Sequence, residues 1–173
     1  MSVLAEVIGV PASSVAELVA SLAARRITVA TAESLTGGLL TALLTEVAGS
    51  SAVVRGGLVV YATELKHKLA GVDTDLLAER GPVDPDVAAE LADGARRRCG
   101  AEVGIGLTGV AGPDPQNGIA VGTWFCAISG PGEHRDLRRG KPAVGVPADR
   151  AAVRAAAVRA GLDLLANIAA TQS

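Results

Sequence analysis

Three residues have side chains that could together attack a carbonyl: Ser34, the chain's single tyrosine Tyr61, and Lys66 five positions further on. A desolvated lysine loses its proton near neutral pH and can then take one from a serine hydroxyl, while a phenol can relay or donate it. Ser34 lies in the run Thr31-Ala32-Glu33-Ser34-Leu35-Thr36-Gly37-Gly38, between an apolar strand-like stretch and an amphipathic helix. The two glycines leave room for a ligand against the backbone. The free N–H groups and positive dipole end of the helix are expected to point at it. Such a place suits an anion, or the oxyanion formed when a serine attacks a carbonyl. Taken singly, each residue has a plainer use: a serine caps the helix, a lysine on a short helix is solvated, and a lone tyrosine packs. A third segment, Thr108-Gly109-Val110-Ala111-Gly112-Pro113-Asp114, offers small residues and open backbone amides directly after a strand. An ordinary Gly-Pro turn would look the same.

These side chains need elements to bring them together. Residues 11–25 carry Val15, Leu18, Val19 and Leu22 at helical spacing, with Ser13 or Ser14 as the expected N-cap. Residues 27–32 read as a buried strand, 36–47 as a helix, 57–61 as a second strand and 63–69 as a short helix. A helical turn over 75–79 precedes Asp84-Pro85, a cap followed by proline at the first helical position, which opens a helix to about Cys99. Strands are expected over 102–107 and 119–129. The second is expected to pair with 134–139 across Gly130-Pro131-Gly132, and a long Ala-rich helix fills 147–169. Helices alternate with strands early and a hairpin comes late. The expected fold is therefore a three-layer α/β/α arrangement with a mixed, mostly parallel sheet, one domain over 1–173. If the first two strands are parallel, Ser34 and Tyr61 share one edge of the sheet, the edge where open α/β folds bind ligands.

Composition narrows the functions. A net charge of −2 leaves no basic excess to neutralise phosphates, so neither nucleic acid nor a membrane surface is an expected partner. The run Arg96-Arg97-Arg98 reads as a solvated last helical turn. Cys99 and Cys126 give no disulfide framework and no C-x-x-C motif. With no apolar run of about 20 residues and no basic-then-apolar start, the sequence reads as cytoplasmic. His67 and His134 stand apart from other ligands, so a metal site is not expected. Gly104-Ile105-Gly106-Leu107-Thr108-Gly109 matches a dinucleotide fingerprint literally. Its glycines begin inside a strand, however, and Pro113 and Pro115 break the stretch where the fingerprint needs a helix, so that function is rejected.

Taken in order, TAESLTGG (31–38), GGLVVYATELK (56–66) and LTGVAGPD (107–114) resemble the C-terminal domain of the CinA family. The resemblance runs from about residue 15 to 165, and GVPADRAAVRAAAVRAGLDLL (145–165) is similar to the family's final helix. Members include stand-alone nicotinamide-nucleotide amidases. The resemblance implies hydrolysis of the carboxamide of nicotinamide mononucleotide without a metal or organic cofactor, giving nicotinate mononucleotide and ammonia, in a homodimer. It implies Ser34 as nucleophile, with Lys66 and Tyr61 as activating and proton-transferring partners. Thr36, Gly37 and Gly38 would hold the oxyanion or the phosphate, and Thr63, Thr108, Gly109, Ala111 and Gly112 would enclose substrate. Arg150 would pair with phosphate. Where members commonly carry Ser-Asn after the tyrosine, this chain has Ala62-Thr63, and Ile119-Ala120 stands where many carry Lys-Pro. Two alternatives stay open: an amidase for another small amide, and a nucleotide- or partner-binding module without turnover.

Overall fold

The computed structural model describes residues 2–131, 135–141 and 149–171. At its centre is one sheet in the order β2-β1-β3-β4-β5, built from β1 (Val29–Glu33), β2 (Val54–Val59), β3 (Val103–Gly109), β4 (Trp124–Ser129) and β5 (Arg135–Gly140). β1 is parallel to both β2 and β3, whereas β4 is antiparallel to β3 and to β5. Only β4 therefore opposes the common direction, and the sheet is the mixed, mostly parallel one expected.

Helices cover both faces. They are α1 (Val3–Ile8), α2 (Ala12–Ala24), α3 (Leu39–Thr45), α4 (Thr63–Ala70), α5 (Thr74–Arg80), α6 (Pro85–Cys99) and α7 (Arg150–Thr171). The period-2 alternation of a strand decides which residue meets which layer. Val29 of β1 and Val103, Ile105 and Leu107 of β3 pack into the core shared by α1, α2, α3 and α7. Ala30 and Ala32 face the other way, into the core of Val60, Ala70, Val87, Leu91 and Ala95 beneath α4 and α6. Continued past the strand end, the alternation sends Glu33 towards α3 and Ser34 towards α4.

The glycines of the rejected fingerprint have a packing role. A Cβ at Gly104 would overlap the carbonyl oxygen of Ala92, and one at Gly106 would overlap that of Ala88 and the amide of Ala92. α6 therefore rests directly on the backbone of β3 through its alanines. Gly106→Ala is expected to cost ~1–3 kcal/mol through overpacking, seen as a lower urea midpoint with an unchanged slope. An unshifted midpoint would show that α6 lifts off the sheet without penalty.

Several local expectations need correcting. The N-cap of α2 is Pro11, with no side-chain cap, so Ser13 and Ser14 lie inside the first turn. α1 was not anticipated, although Ser2 accepts the Ala5 amide at its start and Gly9 closes it at φ +74°. β4 starts at Trp124 rather than 119, because Gln116 and Ile119 pair with each other in a small loop of their own. The helix foreseen from Thr36 begins at Leu39, since Gly37 and Gly38 turn the chain at φ +62° and +93°. α7 is described from Arg150, so the expected start at Pro147 lies outside the described residues, as do Gly132 and His134. No helix among the described residues is long and apolar enough to cross a membrane.

Candidate active site

Ser34 follows the last residue of β1 and is pinned there by one more rung of the sheet, its N–H donating to the Leu107 carbonyl at 2.9 Å. Its own carbonyl accepts the Gly37 N–H at 3.0 Å, which closes a turn with Leu35 and Thr36 at its corners. Only 7% of the residue is exposed. Lys66 reaches it from the inner face of α4, where Lys66 and Ala70, four residues apart, are the buried positions. The lysine Nζ donates to Ser34 Oγ at 3.0 Å and to the Val60 carbonyl at 3.0 Å, and only 2% of the residue is exposed. Burial pulls its pKa from 10.5 down to about 8, with the neighbouring Glu64 carboxylate opposing part of the change. A buried amine that deprotonates near pH 8, beside a hydroxyl it can deprotonate, has the features of a general base and its nucleophile.

The helix start does not serve the site in the way expected from the sequence. Its donors are saturated by Glu33, a carboxylate with 0% exposure. Glu33 accepts the amides of Gly38 (3.1 Å), Leu40 (3.1 Å) and Thr41 (2.9 Å), and the hydroxyls of Thr41 (2.7 Å) and Thr31 (3.1 Å). Gly57 on β2 leaves the room, because a Cβ there would collide with the Thr41 and Thr31 hydroxyls. The positive end of α3 is therefore neutralised inside the protein rather than offered to a ligand. The Gly37 and Gly38 amides are both taken. The N–H groups of Leu35 and Thr36 have no partner among the described residues.

A cavity of about 150 Å³ opens over Ser34, lined also by Leu35, Tyr61, Gly109 to Gly112, Asp114, Gln116 and Arg150. Tyr61 is 62% exposed. Its hydroxyl accepts from Arg150 Nη2 at 3.3 Å, and no hydrogen bond joins it to Ser34 or Lys66 among the described residues. Arg150 Nη1 also donates to the Gly112 carbonyl at 2.6 Å, so one guanidinium ties α7, the loop after β3 and Tyr61 into one wall. The structure thus gathers Ser34, Lys66, Tyr61, Gly109, Ala111, Gly112 and Arg150. It places others away from the cavity. Thr108 is buried with its hydroxyl on the Pro82 carbonyl at 2.6 Å, Thr63 is exposed on α4, and neither Gly37 nor Gly38 nor the Thr36 side chain, fully buried at a corner of the Ser34 turn, lines the cavity. No three His, Cys, Asp or Glu side chains among the described residues gather to hold a metal. His67 places Nδ1 at 2.8 Å from the Val72 carbonyl.

Sequence reasoning missed four contributors. Glu33 stood inside the run of interest, but nothing local shows that its partners come from five to eight residues later. Asp114 and Gln116 border the cavity, and Asp114 ended the loop segment already singled out. Arg154, four residues beyond Arg150 on α7, donates from Nε to the Leu35 carbonyl at 3.1 Å and from Nη2 to the Thr36 carbonyl at 3.0 Å. The i, i+4 spacing of the two arginines was the available signal.

Known proteins share this sequence and shape. A family model described as the CinA C-terminal domain matches residues 12–169. A CinA-like protein of Frankia casuarinae is 46% identical over 149 residues, covering 86% of this chain and 33% of that protein. A putative competence-damage inducible protein of a Geobacillus species is 42% identical over 138 residues, covering 80% and 32%. The chain thus spans about a third of the length of these relatives. A CinA superfamily protein of Klebsiella pneumoniae superposes with a TM-score of 0.83 at 30% identity, over 92% of this chain and 97% of the other. A competence/damage inducible protein of Agrobacterium tumefaciens gives 0.80 at 32%, over 90% and 95%.

Proposed function

Since the chain belongs to the CinA C-terminal domain family, we propose that it is a nicotinamide-nucleotide amidase, hydrolysing the carboxamide of nicotinamide mononucleotide. One observation carries the reading: a buried lysine with a pKa near 8 lies 3.0 Å from a buried serine hydroxyl beneath a cavity. In its neutral form Lys66 takes the Ser34 proton as Oγ attacks the carboxamide carbon. The tetrahedral intermediate places its negative oxygen against open backbone amides of the turn. As the C–N bond breaks, the proton passes from Lys66 to the departing nitrogen, with Tyr61 as the proton-transferring partner at the cavity wall. Ammonia leaves an ester on Ser34. Water, deprotonated in turn by Lys66, attacks that ester, and as its C–O bond breaks Lys66 returns the proton to Ser34 Oγ, freeing nicotinate mononucleotide.

The cavity is smaller than pockets that enclose whole drug-sized ligands, so it takes the amide and ring, while ribose and phosphate extend past Arg150. A guanidinium has five N–H donors, and the two bonds it makes to Gly112 and Tyr61 leave donors for a phosphate oxygen. The same small cavity supports a second reading, a smaller primary amide as substrate. Purified protein incubated with nicotinamide mononucleotide is expected to release ammonia and nicotinate mononucleotide in equal amounts, and Ser34→Ala to release neither. Turnover of free nicotinamide but not the nucleotide would replace the first reading with the second. No product from either, in a folded protein, would leave a binding module.

A further inference from the structure

The turn that carries Ser34 is held from outside by Arg154. Its two hydrogen bonds go to consecutive carbonyls, those of Leu35 and Thr36. In a trans peptide the C=O and N–H point in opposite directions. A guanidinium that fixes the Leu35 carbonyl therefore fixes where the Thr36 N–H points, and the one on Thr36 O steadies the peptide that closes the turn on Ser34. The amides around it are divided: those of Ser34, Gly37 and Gly38 are bonded, whereas those of Leu35 and Thr36 have no partner among the described residues. Thr36 Oγ1 is buried and without a partner as well. Buried polar groups are nearly always paired, so unpaired donors collected beside a buried serine point to a missing acceptor. Donation from a cation to the carbonyl end of these peptides also polarises them.

We propose that Arg154 is the positioning residue of an oxyanion pocket made by the Leu35 and Thr36 amides, an inference that rests on Ser34 being the nucleophile. Arg150 faces the cavity and Arg154 lies behind it. One face of α7 thus borders the substrate while its next turn sets the geometry of the reacting loop. The test uses Arg154→Lys, which keeps the charge but loses the planar fork, and Arg154→Gln, which loses the charge. Two rates are measured on each: labelling of Ser34 by a fluorophosphonate probe, which needs no amide substrate, and turnover of nicotinamide mononucleotide. For Arg154→Gln, labelling and kcat are expected to fall ~100-fold, with KM within about threefold of wild type. Arg154→Lys is expected to fall between the two, and the pH midpoint set by Lys66 to stay in place. If Arg154→Gln does not fold, Arg154→Lys decides by the same readouts.

A folded variant that labels and turns over like wild type overturns the role of Arg154 alone, as does a loss confined to KM. If wild-type Ser34 resists the probe, or Lys66→Met labels as fast as wild type, the nucleophile reading falls and takes this one with it.

Discussion

Replacing Lys66 with methionine is expected to slow hydrolysis of nicotinamide mononucleotide by ~100- to 10,000-fold, the range for loss of a general base, in a protein that remains folded. In the proposed mechanism the neutral amine is the reactive form, so wild-type activity should rise with pH and level off above about 8, falling tenfold per unit below it. Stability gives a second, substrate-free readout. The amine titrates at about 8 in the folded protein against 10.5 when unfolded, so between those values the unfolded chain binds more protons. Wild-type stability gains from this group as pH rises through that window. Below it both states are protonated and the burial cost is fully present, on the order of 3 kcal/mol. Lys66→Met has no such charge but leaves the Val60 carbonyl without its donor, which offsets part of the gain. The stability difference between variant and wild type should therefore move in favour of wild type from pH 7 to pH 10.5, by up to about 3 kcal/mol. A near-normal rate at neutral pH would exclude lysine as the base. A pH-independent stability difference would show that the amine is not buried.

Glu33→Ala is the change expected to cost most in stability, on the order of 3–5 kcal/mol. Three amides, those of Gly38, Leu40 and Thr41, would lose the fully buried carboxylate that accepts them. The Thr31 and Thr41 hydroxyls, 2.6 Å apart, can still satisfy each other. Each orphaned donor costs ~1–3 kcal/mol, and relaxation keeps the sum below the total of the three. Glu33→Gln should lie between, since one amide oxygen still accepts while the NH2 group confronts donors. Urea unfolding of both variants checks this. A loss under ~1 kcal/mol for Glu33→Ala would mean that α3 closes its own N-terminus by another route.

The elements that could be read from sequence are those with a local cause. Asp84 and Pro85 start α6, Gly100 ends it at φ +61°, and Val87, Leu91 and Ala95 mark its inner face, all from neighbours within a few residues. Ser34 and Lys66 could be singled out because their chemistry is carried by residue type and their positions by β1 and α4. The features hidden from sequence depend on how the chain closes around a side chain, which residue type and spacing do not reveal. Nothing near Glu33 says that its carboxylate is fully buried, and nothing near Arg154 says that its carbonyl acceptors lie at Leu35 and Thr36. The rule for free N–H groups points the start of α3 at a ligand only if no side chain of the protein occupies them, and Glu33 does. Spacing groups Tyr61 with Lys66, whereas the fold gives its hydroxyl to Arg150.

The contrast between the floor and the rim of the cavity has a consequence for how such a protein changes over generations. Ser34 directly follows β1 and Lys66 is on the inner face of α4, both side chains buried and each tied to the backbone of the sheet or its edge. Asp114 and Gln116 belong to the segment between β3 and β4, held by a few rungs such as Gly122 N–H to Val110 O at 2.8 Å. Loops of this kind tolerate replacement far better than the elements they join. Mutational drift can thus rewrite what the cavity admits while the Ser34–Lys66 pair stays where it is. If the proposed hydrolysis holds, a library confined to residues 114–120 is the place from which new amide specificities would be selected.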